Sequence, residues 1–212
     1  MTVVIASYNI KGGGRKLVRG KSDPAGLIKG SDYERLDLLP ADFSYRNMDL
    51  ALDDTKRPTR GIAKVIASVA GDYDYVFLDC PPAISLASES VFEASDLLLV
   101  PLIASPLSLR TFDQLRRFVA DEVRGGRPEI LAFFSMVDRR KRLHRELVAR
   151  ARADYDGKVL ASAIPAASEV ERMAVQRAAL ADFAAGSRAS RAYAALWAEV
   201  HARLESVRRQ PR

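Results

Sequence analysis

Two short runs of this chain carry residue types that could handle a phosphate. The first is Lys11-Gly12-Gly13-Gly14-Arg15-Lys16, directly after Val3 to Ile10, which read as a short buried strand. Glycines that follow a buried strand let consecutive backbone N–H groups close around an anion. They remove the Cβ that would clash, and they accept positive φ. Two neighbours oppose that use. Arg15 brings a side chain into the wrap. Leu17 stands where phosphate loops supply a hydroxyl to Mg²⁺. A helix should follow and aim its N-terminus at the phosphate. The stretch 18–32 instead carries Gly20, Pro24, Gly26 and Gly30, which oppose a helix. The alternative reading is a glycine- and lysine-rich surface loop.

The second run is Tyr75-Val76-Phe77-Leu78-Asp79, followed by Cys80-Pro81-Pro82. Four apolar residues predict a buried strand, and the acid ends it. A carboxylate at the carboxyl end of a central parallel strand lies where α/β sheets bind ligands, and there it could hold Mg²⁺. The alternative is an ordinary acid at a surface strand end. A third feature is basic. Arg139, Arg140, Lys141, Arg142, Arg145, Arg150 and Arg152 are opposed only by Asp138, Glu146 and Asp154. This stretch suits phosphate-backbone binding without base readout, because no aromatic residues are interleaved. It equally suits a solvated helix face. His144 and His201 are isolated and read as surface residues, while Tyr193 and Trp197 read as core.

The elements needed to position these residues are legible. Strands are expected at Val3 to Ile10, Leu36 to Leu39, Tyr75 to Asp79, Leu97 to Val100, Ile130 to Val137 and Val159 to Ile164. Helical spacing runs through Ile62, Val65, Ile66 and Val69, and through Leu109, Phe112, Leu115, Val119 and Val123. A basic helix is expected over Arg139 to Asp154, with a narrow apolar stripe at Leu143 and Leu147. A last helix begins near Arg188 with Ser187 as N-cap, its apolar face at Tyr193, Leu196, Trp197, Val200 and Leu204. This alternation implies a doubly wound, mostly parallel α/β sheet in a single domain over 1–212. The 212 residues can bury a substantial core, 48% of them are hydrophobic, and no stretch approaches a membrane span. One cysteine excludes an internal disulfide and fits a reducing cytosol. The net charge of +6 suits an acidic partner.

Taken together these residues resemble the ParA/MinD-type ATPases, P-loop proteins with a deviant Walker A loop. Lys11-Gly12-Gly13 is similar to the family's signature-lysine loop, and Lys16 stands at the spacing of its phosphate lysine. Asp79-Cys80-Pro81-Pro82 resembles its Walker B segment. Leu99-Val100-Pro101-Leu102, with the helix from Leu109, resembles the segment after the next strand. Ser135 to Arg140 resembles the strand end near the nucleotide base, and Ile164-Pro165 with Ser168-Glu169 resembles the loop that borders adenine. The resemblance implies an ATP-dependent DNA-partitioning protein of the cytoplasm and nucleoid. It would dimerise with ATP, bind DNA non-specifically and answer to a ParB-like partner, with no membrane role. It implies Lys11 as the catalytic lysine that reaches the partner subunit's phosphates. Gly12, Gly13, Lys16, Asp138 and Pro165 would hold ATP, Asp79 would act on Mg²⁺, and Arg139, Arg140, Arg142 and Arg145 would meet DNA. The single cysteine sets aside the nitrogenase iron protein, and the chain after Leu204 is too poor in apolar residues for a MinD-like membrane helix.

The chain departs from the family in one region. The segment from Lys11 to Asp79 is short by about one helix and one strand, the strand that carries the family's Asp-x-Asp-Pro acids. Residues 14–35 are therefore expected as an irregular loop at an apparent internal deletion. With Arg15 and Leu17, this implies impaired ATP binding. The alternative function is a non-catalytic DNA- or protein-binding module on the same sheet.

Overall fold

A computed structural model describes residues 3–7, 23–39, 58–80, 85–123 and 128–208. In chain order the elements are β1 (Val3–Ser7), β2 (Lys29–Gly30), β3 (Asp37–Leu38), α1 (Gly61–Val69), β4 (Tyr75–Asp79), α2 (Leu86–Ala94), β5 (Leu97–Ile103), α3 (Pro106–Glu122), β6 (Glu129–Val137), α4 (Arg142–Asp154), β7 (Val159–Pro165), α5 (Ser168–Gln176), α6 (Leu180–Phe183) and α7 (Arg188–Arg208). Five strands hydrogen-bond in the order β4-β1-β5-β6-β7. β1 and β4 are parallel, as are β6 and β7. This is the expected α/β class. The order reverses at β1, and open α/β sheets bind ligands outside the carboxyl ends of the strands at such a switch point. Chain contacts group into two compact units, Met1–Leu98 with Phe118–Glu129, and Leu99–Arg117 with Ile130–Arg212.

In the first unit, α2 supplies the core. Ala87, Val91 and Phe92 are buried, and Phe92 meets Phe118 edge to face at 6.4 Å between ring centres. Ser85 and Ser88 form a capping box that satisfies the first turn of α2. Three serines sit inside without cost because each hydroxyl is bonded. Ser88 donates to the Ser85 carbonyl, Ser95 to the Val91 carbonyl, and Ser90 to the Thr59 carbonyl while accepting the Ile62 N–H. Ser90 thereby ties α2 to the start of α1. β4 is less buried than its composition predicts, and Phe77 is 57% exposed. A run of apolar residues signals a strand covered on both faces, but among the described strands β4 is the last in the order. The strand expected over Leu36 to Leu39 is also different. β3 pairs antiparallel with β2 in a two-rung hairpin whose leucines, Leu36 and Leu38, are exposed. The hairpin is anchored through Asp37, which accepts the Tyr73 hydroxyl at 2.8 Å.

The second unit is built on β5, β6 and β7. Leu131, Phe134, Leu160 and Ile164 are buried. β5 runs through Pro101 to Ile103 rather than stopping at the proline, whose fixed φ suits an extended chain and whose only loss is one N–H donor. α7 lies along β7, and Ser187 caps it by accepting the Ser190 N–H at 3.0 Å. Leu196, Val200 and Leu204 are buried there, but Tyr193 and Trp197 are 39% and 40% exposed. These two are therefore margin rather than core, as fits large rings that are rarely buried whole. The apolar stripe of α4 also shifts. Val148 and Ala151 are buried, whereas Leu143 is exposed.

Phe92 is fully buried against an aromatic partner. Phe92→Ala should cost about 3–5 kcal/mol of unfolding free energy in a denaturant titration. A cost below about 1.5 kcal/mol, the range of a tolerated swap, would contradict this packing.

Candidate functional site

In the first unit the register Ser7↔Asp79 sets the carboxyl end of β1 beside that of β4. The glycine-rich run expected to hold phosphate, with Lys11, Gly12, Gly13 and Lys16, lies outside the described residues. Asp79 is exposed and makes no ion pair among the described residues, and partial burial raises its carboxyl pKa. Such a carboxylate suits a hard divalent cation, which commonly takes one or two carboxylates and completes its shell with water and substrate oxygens. Cys80 beside it is fully buried, and burial, followed by the charge of Asp79, pushes its thiol up to about 12. It stays protonated, donates to the Leu78 carbonyl, and is packing rather than a nucleophile.

In the second unit Asp138 and Pro165 come together at the ends of β6 and β7. The ladder that brings them there is irregular. Ala132 is opposite Val159, but Phe134 is opposite Ala163 and Val137 is opposite Pro165. From Ala132 to Phe134 the chain of β7 therefore holds two extra residues, at Leu160 to Ser162. From Phe134 to Val137 the excess of one residue lies on β6. There Met136 takes φ 56°, is 57% exposed, and marks the second bulge. A left-handed methionine is costly, so the strain sits two residues before Asp138. The Ala166 N–H donates to the Val137 carbonyl at 3.1 Å and closes the pair of strand ends.

The basic helix begins at Arg142, three residues later than expected, because Asp138 to Lys141 form a turn. Asp138 Oδ1 accepts the Arg140 N–H at 3.0 Å, and the Lys141 N–H donates to the Asp138 carbonyl at 3.1 Å. The Arg140 guanidinium clasps both carboxylate oxygens at 3.1 Å. Hydrogen bonds from the Arg140 side chain and N–H hold the Asp138 carboxyl down at about 2. His144 Nδ1 accepts the Asp138 N–H at 3.2 Å, and Arg145 donates to the Arg139 carbonyl at 2.7 Å. Arg142 pairs with Glu146, and Arg150 with Asp154. Of the residues expected to meet DNA, Arg140, Arg142 and Arg145 thus have partners within the chain. Among the described residues, Arg139 and Lys141 make no ion pair. Three contributors escaped sequence reasoning. His144 looked like a surface histidine, and the roles of Arg152 and Glu199 on β7 depend on a bulge that spacing does not reveal.

A family description of the AAA domain matches residues 15–126, just over half of the chain. The chromosome partitioning protein ParA of Caulobacter vibrioides is 31% identical over 136 residues, which are 61% of this chain and 51% of that protein. The virulence plasmid ParA family protein pGP5-D of Chlamydia psittaci is 25% identical over 197 residues, 90% of this chain and 73% of that one. The chain thus spans about half the length of the Caulobacter relative. Among solved structures, a putative plasmid partition protein from Borrelia burgdorferi, bound to AMPPNP, superposes with a TM-score of 0.69 at 16% identity, over 83% of this chain and 77% of that one. At that identity the likeness concerns the fold.

The Asp138–Arg140 clasp has a pH consequence. Because the folded carboxyl pKa is depressed, its stabilisation is present above the ordinary aspartate pKa near 4 and is lost as pH falls from there toward about 2. Asp138→Asn should remove that acid-sensitive component, so that the variant and parent converge in stability near pH 2. Parallel stability–pH curves for the two proteins would contradict the clasp.

Proposed function

The chain belongs to the AAA-domain family, in its ParA/MinD-type P-loop branch, and from that premise we propose that it serves the partitioning of chromosomal or plasmid DNA with weakened nucleotide chemistry. The observation that carries this reading is Asp79. It ends β4 opposite Ser7 at the carboxyl end of β1, exposed and without an ion pair among the described residues. A nucleotide is the ligand that this reading implies. Gly12, Gly13 and Lys16 would take the phosphates, and Asp138 and Pro165 would border the base. Since Arg140 holds both Asp138 oxygens, Asp138 would shape this border through its turn rather than by its free carboxylate. Bound Mg²⁺ would neutralise phosphate charge, with Asp79 as its protein ligand. In an ATP-bound homodimer, Lys11 would reach the partner subunit's phosphates. A ParB-like protein and non-specific DNA are the partners that fit this class, in the cytoplasm at the nucleoid. No helix among the described residues is long and apolar enough to cross a membrane.

A second reading is supported by Arg15 and Leu17. On that reading the sheet is retained as a DNA- or protein-binding module without ATP turnover. Calorimetry with ATP and Mg²⁺ separates the two. The crowded amide cradle and the lost hydroxyl should each cost on the order of 1–3 kcal/mol, which leaves binding weaker than micromolar. Leu17→Thr with Arg15→Gly should restore it, and Lys16→Ala should abolish the restored binding. Micromolar, Mg²⁺-dependent binding by the unmodified chain would overturn the proposed impairment.

The DNA surface has its own test. Arg139 and Lys141 make no ion pair among the described residues, whereas Arg145 donates to main-chain carbonyls and Arg142 pairs with Glu146. Duplex binding should be weak, independent of sequence, and steeply dependent on salt. Arg139→Glu with Lys141→Glu should lower low-salt affinity on every duplex and reduce the slope of log K against log salt by about two. Equal binding by the double variant and the parent would reduce this turn to a solvated surface.

A further inference from the structure

The two extra residues in β7 pose a problem that two side chains solve. A bulge takes main-chain groups out of the ladder, and unsatisfied groups there would cost free energy. Here the orphaned donors and acceptors meet side chains from the two helices that contact β7. Glu199, on α7, accepts the Ala161 N–H at 2.7 Å and the Ser162 N–H at 2.9 Å. Arg152, on α4, donates to the Leu160 carbonyl at 3.3 Å and to the Ala161 carbonyl. Both donors and both acceptors lie within the three residues Leu160 to Ser162, where the register shifts.

We propose that Glu199 and Arg152 are positioning residues that hold the β7 bulge open and thereby set Pro165 opposite Val137. If the bulge collapsed with Val159 still opposite Ala132, Phe134 would face Ala161 instead of Ala163. The end of β7 would then advance by two residues, roughly 6–7 Å at the rise of a strand. Pro165 would pass Val137, and the bond from the Ala166 N–H to the Val137 carbonyl would be lost. A two-residue slip keeps every side chain on its own face, so hydrophobic patterning does not forbid it. The choice between registers falls to the groups that satisfy the bulge. Glu199 and Arg152 are charged, and both bond to the main chain of the bulge. The consequence for a bound base rests on the reading proposed above, but the register does not.

Amide hydrogen exchange on the full chain, read by NMR without nucleotide, tests this. In the parent, the Ala161, Ser162 and Ala166 amides should be protected, and in low denaturant they should open together as one unit. Glu199→Ala should expose all three by roughly tenfold or more, while the Leu102 amide in β5 keeps its protection. Glu199→Gln retains one acceptor oxygen and should give an intermediate loss. Loss of protection at Ala161 and Ser162 with Ala166 unchanged would overturn the proposal, because the clamp would then be local. If Glu199→Ala does not fold, the parent decides alone. Opening of Ala166 at a different denaturant dependence from Ala161 and Ser162 would overturn the proposal. Because no nucleotide is present, neither result depends on whether the chain binds ATP.

Discussion

Every parallel ladder must keep its main-chain groups paired while it delivers particular residues to the strand ends. In this protein that constraint falls on β6 and β7. Two extra residues on β7 and one on β6 leave Val137 and Pro165 level. Neither bulge is free-standing. The first is held by Glu199 and Arg152, and the second is carried by the left-handed backbone of Met136. The end of the sheet in this unit, including the Asp138 turn and the Ala166 N–H, follows from how those two irregularities are stabilised. Glu199 illustrates the balance. Burial alone would raise its carboxyl pKa, but the Ala161 and Ser162 N–H groups, the Ser162 hydroxyl and Arg152 outweigh burial and lower it. The carboxylate is therefore charged wherever the protein is folded at neutral pH.

The arginines near α4 show why counting charge misjudges a surface. Arg140 builds a turn, Arg145 and Arg152 satisfy carbonyls, and Arg142 and Arg150 make exposed i,i+4 pairs. Exposed pairs of that kind add little stability. Their main effect is to cancel the field that the same arginines would otherwise project. Arginine suits the carbonyl-binding tasks because its planar fork can reach two acceptors at once. Among the described residues of this turn and helix, Arg139 and Lys141 make no ion pair.

The sheet was legible because apolar runs and helical spacing report burial directly. Leu97 to Val100, Ile130 to Val137 and Val159 to Ile164 each became strands, and Ser187 became the cap it was expected to be. What spacing could not supply was position within the sheet. The apolar run of β4 predicted a covered strand, yet Phe77 is largely exposed because burial depends on neighbours that sequence does not locate. Residue type likewise marked Asp79 and Asp138 as acids at strand ends. It did not foretell that Arg140 would occupy both oxygens of one while the other makes no ion pair among the described residues. The same blindness hid His144, whose role comes from a main-chain N–H six residues earlier. Hydrogen bonds to backbone leave no signature in composition.

The level pairing of Val137 with Pro165 is reported by a bond at the strand ends. The Ala166 N–H donates to the Val137 carbonyl. A through-hydrogen-bond scalar coupling, measured by NMR on labelled protein, connects a donor nitrogen to the carbonyl carbon that accepts from it. A coupling between Ala166 nitrogen and Val137 carbonyl carbon is the predicted result. A coupling from Ala166 to another carbonyl, or from a different β7 amide to Val137, would contradict the register.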